Sequence, residues 1–217
     1  MSKQILKFLI GLIISSAVIL LVSCSAVLSG SGSNTPNSPV SFSENFSQAN
    51  ALSAWTITPA GSVTIVGGQA SFTYSGTSSG AIETPLIFTS TSFKVVSDLN
   101  MHLSLGTMNI CIVTSASQTY TFSFFNNGTS VPSAIQLLRG SSSLGQASIT
   151  PSDNFTLTMA VNGGSFTISL TDKTKGTVVA TFTATDAAPY SSFVGLVLSG
   201  GITGYNTLVS DISVSSI

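Results

Sequence analysis

Apolar and polar residues alternate along most of the chain, the period expected of a β-strand with one buried face. Leu157, Met159 and Val161 point to one side of such a strand, and the residues between them point to the other. The same period recurs over residues 120–124 and 166–170, and turn residues separate the runs. The pattern predicts an all-β domain in which two antiparallel sheets pack face to face as a sandwich.

Glycine pairs mark two hairpins, because glycine readily adopts the positive φ angles of tight turns. One pairs Ser62–Val66 with Gln69–Tyr74 around Gly67-Gly68, and the other pairs Phe155–Val161 with Ser165–Leu170. The pattern predicts further strands at Phe93–Val96, Met101–Leu105, Asn109–Thr114, Gln118–Phe125, Ala134–Arg139, Thr177–Thr183, Val194–Leu198 and Thr207–Val214.

The first forty residues follow a different pattern. Lys3 and Lys7 precede an apolar run from Phe8 to Val22, which is shorter than the ~20 residues of a membrane-spanning helix. A basic start, a short apolar run and small residues are typical of an export signal. The Ser/Gly/Pro-rich stretch that follows has the composition of a flexible linker. We therefore expect a cleaved signal peptide at 1–23, an anchor and linker at 24–39, and a sandwich domain at 40–217.

The signal ends in Leu21-Val22-Ser23-Cys24, which resembles the lipobox of bacterial lipoproteins. In that family the cysteine receives a diacylglycerol, the signal is removed before it, and the new amino terminus is acylated, typically with palmitate. The resemblance implies that Cys24 is lipidated and that the mature protein lies outside the cytoplasm, held on a membrane by its lipid. Ser25 favours the outer membrane in a diderm cell. The alternatives are an uncleaved signal anchor and an ordinary signal with an incidental cysteine.

Cysteine and charge composition narrow the function further. With Cys24 lipidated, Cys111 is expected to be a buried thiol without a disulfide.

Only 6% of residues are charged. Loss of the two signal lysines leaves four basic and seven acidic residues, so the net charge of the mature chain is 4 − 7 = −3. Four basic residues are too few for the many Lys and Arg contacts to phosphate on which nucleic-acid binding depends. A sparsely charged, hydroxyl-rich surface suits a neutral glycan or another envelope protein, and it lacks the lysines that guard sheet edges.

Landmarks along the domain resemble a known family. They are Ala54-Trp55-Thr56-Ile57 near its start, Leu157–Val161 before an Asn-Gly-Gly turn, and Asp211-Ile212-Ser213-Val214 at its end. These residues resemble the concanavalin A-like lectin/glucanase jelly roll, in particular the laminin G-like and 3-keto-disaccharide hydrolase-like domains. The resemblance covers residues 40–217. It implies a jelly roll with Trp55 in the core and the last strand beside the first.

The glucanase motif of that superfamily is absent. Retaining glycoside cleavage needs two carboxylates about 5–5.5 Å apart, and neither Glu44 nor Glu83 lies in such a motif. His102 is the single histidine, and no Gly-x-Ser-x-Gly elbow accompanies it. We therefore expect a non-catalytic module that binds carbohydrate or protein. A structural or adhesive envelope component without a small ligand is the first alternative, and a 3-keto-glycoside-cleaving enzyme that uses His102 is the second.

Aromatic and polar side chains are the candidates for carbohydrate contact, because sugars stack on rings and hydrogen-bond to nearby polar groups. Tyr190 and Tyr205 come first, since their neighbours Pro189 and Gly204 place them in loops. The remaining candidates are Tyr120, Arg139 and His102. For each tyrosine the alternative is ordinary packing within a strand.

A structural calcium is the one cofactor that the sequence suggests. If the first and last strands pair, the side chains of Glu44, Asn45 and Asp211 could converge, and calcium prefers oxygen ligands of these kinds. The alternative is that Glu44 and Asp211 are solvated residues at strand ends.

Overall fold

Alternating side chains let each strand bury one face, and a computed structural model shows that the domain consists of such strands. It describes residues 40–75, 78–101, 107–125, 131–200 and 207–217, with the backbone alone described at 74, 75, 78 and 79. Among these residues the only helical element is a 3-10 helix, Ala51–Ala54. No helix among them is long and apolar enough to cross a membrane. The expected all-β class is confirmed.

Eight antiparallel strands of the described chain form the first sheet. The strands are β1 (Ser41–Glu44), β3 (Val63–Val66), β4 (Gln69–Phe72), β7 (Ser92–Met101), β12 (Asn154–Asn162), β13 (Ser165–Asp172), β14 (Thr177–Thr185) and β16 (Thr207–Ser216). Their order in the sheet is β14-β13-β12-β7-β16-β4-β3, and β1 also pairs with β16.

The other eight strands of the described chain form the second sheet, which packs against the first. The strands are β2 (Thr56–Thr58), β5 (Tyr74–Ser75), β6 (Ser78–Thr89), β8 (Thr107–Val113), β9 (Thr119–Phe125), β10 (Ala134–Arg139), β11 (Ser142–Ser148) and β15 (Ser192–Gly200). Their order in the sheet is β11-β10-β9-β8-β15-β6-β2, and β5 also pairs with β6.

The inward-facing residues of both sheets make one continuous core. Leu157, Met159 and Val161 are buried as their alternation predicts, and so are the apolar positions of residues 120–124 and 166–170. Each such side chain removed from water contributes roughly 1.5–3 kcal/mol of transfer free energy. Both predicted glycine-pair hairpins form, since β3 pairs with β4 and β12 with β13.

The chain ends meet as the family resemblance implies. β1 pairs with β16, and Glu44 lies opposite Ile212. Trp55 is buried and packs between Phe42 and Phe46, with ring centroids 5.9 and 5.7 Å away. The expected core position of Trp55 is confirmed.

One predicted strand bound is wrong. The strand Phe93–Val96 was expected to end at Val96, but β7 runs unbroken from Ser92 to Met101. Residues 102–105 of the predicted strand Met101–Leu105 lie outside the described residues. Ser97 occupies an inward, fully buried position in β7, so a small polar residue interrupts the apolar pattern without ending the strand. The Oγ of Ser97 donates a hydrogen bond to the Asp211 carbonyl oxygen at 2.8 Å, which satisfies the buried hydroxyl.

Candidate functional site

An aromatic and cationic cluster closes one end of the sandwich, between the two sheets. Arg139, the last residue of β10, lies directly opposite Tyr120 of β9, and Tyr190 reaches them from the segment between β14 and β15. The Arg139 Cζ lies 4.4 Å from the centroid of the Tyr190 ring, a cation–π distance. The ring centroids of Tyr120 and Tyr190 are 4.9 Å apart. Three of the five predicted carbohydrate contacts are therefore neighbours.

Asp186 organises this cluster, although no motif in the sequence marks it. Its Oδ2 accepts a hydrogen bond from the Tyr120 hydroxyl at 2.7 Å and lies 2.8 Å from the Nε of Arg139 in an ion pair. Its Oδ1 accepts a hydrogen bond from the backbone N–H of Ala188 at 3.0 Å. The carboxylate is buried, so these partners replace the water that it loses.

The backbone of the loop that carries Tyr190 is fixed at both ends. The N–H of Tyr190 donates to the Tyr120 hydroxyl oxygen at 2.9 Å, and the N–H of Asp186 donates to the carbonyl oxygen of Gly164 at 2.8 Å. Gly164 has φ +88°, and a Cβ atom there would lie only 2.5 Å from the Asp186 carbonyl oxygen. Glycine is thus required at this close approach. The loop is held before any ligand arrives.

The contacts within the cluster shift the pKa values of Tyr120 and Asp186 in opposite directions. Burial raises the pKa of Tyr120, and its hydrogen bond to Asp186 raises it further, so the phenol stays protonated. Burial also acts to raise the pKa of Asp186, but the bonds from Tyr120 and Ala188 and the charge of Arg139 outweigh it and lower that pKa. Asp186 is therefore ionised at neutral pH and balances the positive charge of Arg139.

Only part of the cluster is open to a ligand. Tyr120 is 1% exposed, so it acts through Asp186 and Tyr190 and makes no direct contact at the surface. The side chain of Arg139 is 35% exposed, and Tyr190 is half-buried. The Nη2 of Arg139 donates to the Ala188 carbonyl oxygen at 2.9 Å, which uses one of five guanidinium donors. Arg139 and Tyr190 form the accessible surface of the site.

The outer face of the second sheet carries a second polar arrangement. Asn109, Ser123 and Ser199 lie on three adjacent strands. Ser123 Oγ donates to Asn109 Oδ1 at 2.6 Å, and Asn109 Nδ2 donates to Ser199 Oγ at 3.4 Å. All three residues are buried, and their polar groups bond mainly to one another. The row stabilises the sheet.

Cys111 lies on the same face and is fully buried, as expected. The sulfur of Cys111 is part of a disulfide in the structure, so the expectation of a thiol without a disulfide is wrong. The chain has two cysteines, and Cys24 lies outside the described residues. A lipid thioether and an intrachain disulfide would compete for the sulfur of Cys24.

The three residues of the predicted calcium site make other contacts. Glu44 Oε1 accepts hydrogen bonds from the backbone N–H groups of Asn45 and Phe46 at 3.0 and 3.1 Å, and Asp211 Oδ1 accepts one from the N–H of Asp98 at 3.2 Å. Across the described parts of the chain, no group of three His, Cys, Asp or Glu residues could hold a metal ion. The calcium site stays a prediction.

The other two carbohydrate candidates, His102 and Tyr205, lie outside the described residues.

Comparison with solved structures identifies the fold. The CBM2 module of an evolved Dit protein from Lactobacillus casei BL23 phage J-1 matches with a TM-score of 0.63 and 12% identity, over 81% of this chain and 94% of that chain. A Bacillus subtilis protein of unknown function with a galectin-like fold matches with a TM-score of 0.61 and 10% identity, over 81% and 94%. The domain has a galectin-like jelly-roll fold.

An enzyme shares this architecture. The Crh5 transglycosylase in complex with NAG matches with a TM-score of 0.58 and 14% identity, over 81% of this chain and 84% of that chain. No protein-family model matches the chain, and neither does any curated protein. At these identities the likeness establishes the jelly roll and leaves the activity to the site itself.

Proposed function

We propose that the jelly roll is a non-catalytic module that binds a neutral glycan through Arg139 and Tyr190, and that lipid on Cys24 holds it at a membrane outside the cytoplasm. The observation that carries the glycan proposal is the arrangement at the end of the sandwich. The guanidinium of Arg139, at the end of β10, lies partly exposed over the ring of Tyr190, whose loop is already ordered by Asp186 and Tyr120. The CBM2 module and the NAG complex with the same fold support it.

The chemistry of the site suits uncharged sugars. Sugar hydroxyls accept hydrogen bonds from guanidinium donors, and the apolar edge of a pyranose packs against a tyrosine ring. Asp186 neutralises Arg139, so an anionic ligand gains little net attraction. Because the loop is fixed in advance, binding loses less conformational entropy than it would with a mobile loop.

A glycan array tests the proposal with the full-length chain in detergent. Arg139→Ala and Tyr190→Ala should each abolish the signal that the wild type gives on neutral glycans. Lys175→Ala is the matched control, because Lys175 is an exposed basic residue in the turn between β13 and β14. Wild-type signal in all three variants would contradict the assignment of the site.

The assay also separates the two alternatives. A structural or adhesive envelope component gives no array signal but forms concentration-dependent oligomers, and the absence of charged residues from the edge strands β11 and β14 favours it. A glycoside-cleaving enzyme releases product from an array glycan, and His102→Ala abolishes that turnover. Binding without turnover supports the non-catalytic module.

The lipid anchor is tested by mass spectrometry of the membrane-extracted protein. A diacylglyceryl thioether on Cys24, with residues 1–23 removed, is the expected product. The lipid and the disulfide of Cys111 exclude each other if Cys24 is the disulfide partner. A disulfide between Cys24 and Cys111 in the membrane-extracted protein, or an intact amino terminus, would therefore contradict the anchor.

A further inference from the structure

Two neighbouring edge strands of the sandwich carry no charged residue and no proline. β14 ends the first sheet and β11 ends the second, and each pairs with a single described strand. Their sequences are Thr-Val-Val-Ala-Thr-Phe-Thr-Ala-Thr and Ser-Ser-Leu-Gly-Gln-Ala-Ser. Soluble proteins usually protect such edges with lysine, proline or a covering element, because unpaired backbone groups are a template for another strand.

The two edges lie side by side and form one apolar rim. A Cβ atom on Gly145 of β11 would lie 3.1 Å from the Phe182 ring of β14, so glycine permits this contact. Phe182 and Leu144 are half-buried, and Val178 is 62% exposed. A partner that covers this rim would remove apolar surface from water without desolvating any charge.

The edge of β14 is complementary to itself. Residues 180–184 read Ala-Thr-Phe-Thr-Ala in both directions. If two copies pair in antiparallel fashion about Phe182, Thr181 of each copy lies opposite Thr183 of the other, and Ala180 lies opposite Ala184. Threonine pairs on facing strands are favourable, and both threonines are exposed.

The geometry of β14 permits this pairing. β13 and β14 pair in regular register from Ser165–Thr185 to Leu170–Ala180, and the irregularity lies beyond Leu170, outside the palindrome. Because the N–H and C=O groups of every second residue bond to β13, those of the other residues between 180 and 185 point away from the sheet edge and are available to another strand. A twofold interface of this kind closes on itself and so gives a dimer.

We propose that the partner of this edge is a second copy of the chain, joined by antiparallel β14–β14 pairing about Phe182. The first sheet then continues through both copies, and the β11 edges flank the junction. The self-complementary segment favours a second copy over an unrelated strand, since an unrelated strand gains nothing from the palindrome.

Sedimentation velocity of the full-length chain in detergent tests the proposal. The wild type should be a dimer. Thr181→Lys/Thr183→Lys places two pairs of like charges directly opposite each other and should raise the dissociation constant about tenfold or more. Thr181→Glu/Thr183→Lys places opposite charges at the same positions and should restore the dimer. Thr167→Lys/Ser169→Lys is the control, because these residues neighbour Thr183 and Thr181 one strand inward.

The outcomes divide clearly, provided thermal melting shows that each variant is folded. Dissociation by the lysine pair, rescue by the glutamate–lysine pair and an unaffected control support the pairing. A wild-type monomer at every concentration, or a dimer that survives the lysine pair, overturns it. Dissociation without rescue also overturns the twofold register about Phe182, because it shows that the copies associate in another arrangement.

Discussion

Tyr120→Phe removes a single buried oxygen that serves two partners. The hydroxyl donates to the Asp186 carboxylate at 2.7 Å and accepts from the Tyr190 N–H at 2.9 Å. A hydrogen bond to a charged group contributes about 1.5–3 kcal/mol, and one between neutral groups about 1 kcal/mol. We expect the free energy of unfolding to fall by about 3 kcal/mol, and the melting temperature by about 6–12 °C for a domain of this size.

Urea denaturation at neutral pH measures this change, and Tyr190→Phe is the matched control. It removes a hydroxyl from the neighbouring ring, whereas the cation–π contact with Arg139 depends on the ring itself. The control should change the free energy of unfolding by less than about 0.5 kcal/mol. A Tyr120→Phe variant as stable as the control would refute the view that this hydroxyl organises the loop.

The pH dependence gives an independent check. The folded state lowers the pKa of Asp186 below its ordinary value of 3.8. Its stabilisation is therefore present above the unfolded pKa and is lost as the pH falls through the folded pKa. The difference between the wild type and Tyr120→Phe should shrink over that acidic range. A difference that stays constant into strong acid would show that the carboxylate is not the partner that matters.

Three further predictions concern the loop contact and the chain ends. Gly164→Ala should destabilise the domain more than Gly163→Ala does, and it should also weaken glycan binding, because only at Gly164 would the new Cβ meet the Asp186 carbonyl oxygen. Equal melting curves and equal array signals for the two variants would contradict this prediction. Burial and the charge of Asp98 raise the pKa of Asp211, so its ionisation opposes folding above that pKa. Asp211→Asn should thus raise the melting temperature at pH 7, and the gain should shrink as the pH falls below the raised pKa of the folded state and vanish below the pKa of the unfolded state. A gain that persists at still lower pH would have another cause. If the predicted calcium site exists, calcium should raise the wild-type melting temperature and leave Asp211→Ala unchanged, whereas identical wild-type melting with calcium or chelator would dismiss it.

The hairpin of β12 and β13 was predictable because apolar and polar residues alternate strictly along both strands. β12 and β13 place an apolar residue at every second position and a tight glycine turn between them, so local sequence alone determines face and register. β6 lacks that signal, because Gly80 and Pro85 interrupt a strand that nevertheless buries Ile82 and Phe88. The structure shows β6 to be a strand through its pairing with β15, which is distant in sequence and therefore invisible to a local pattern.

The candidate site was only partly predictable for the same reason. Aromatic and basic residue types pointed to Tyr120, Arg139 and Tyr190, but nothing local marks Asp186 as their common partner. Tyr120 and Asp186 are 66 residues apart and meet only when the two sheets pack. β11 was also missed, because its short polar side chains show no apolar period.

The Nε–H signal of Arg139 in an NMR titration tests the central claim most directly. This Nε atom is buried beside the Asp186 carboxylate, and its burial should slow solvent exchange enough for the signal to be observed. Titration with the neutral glycan that binds most strongly on the array should shift this signal in proportion to saturation and leave the amide signal of Lys175 in place. A glycan that saturates the protein without moving the Arg139 signal would contradict the proposed site.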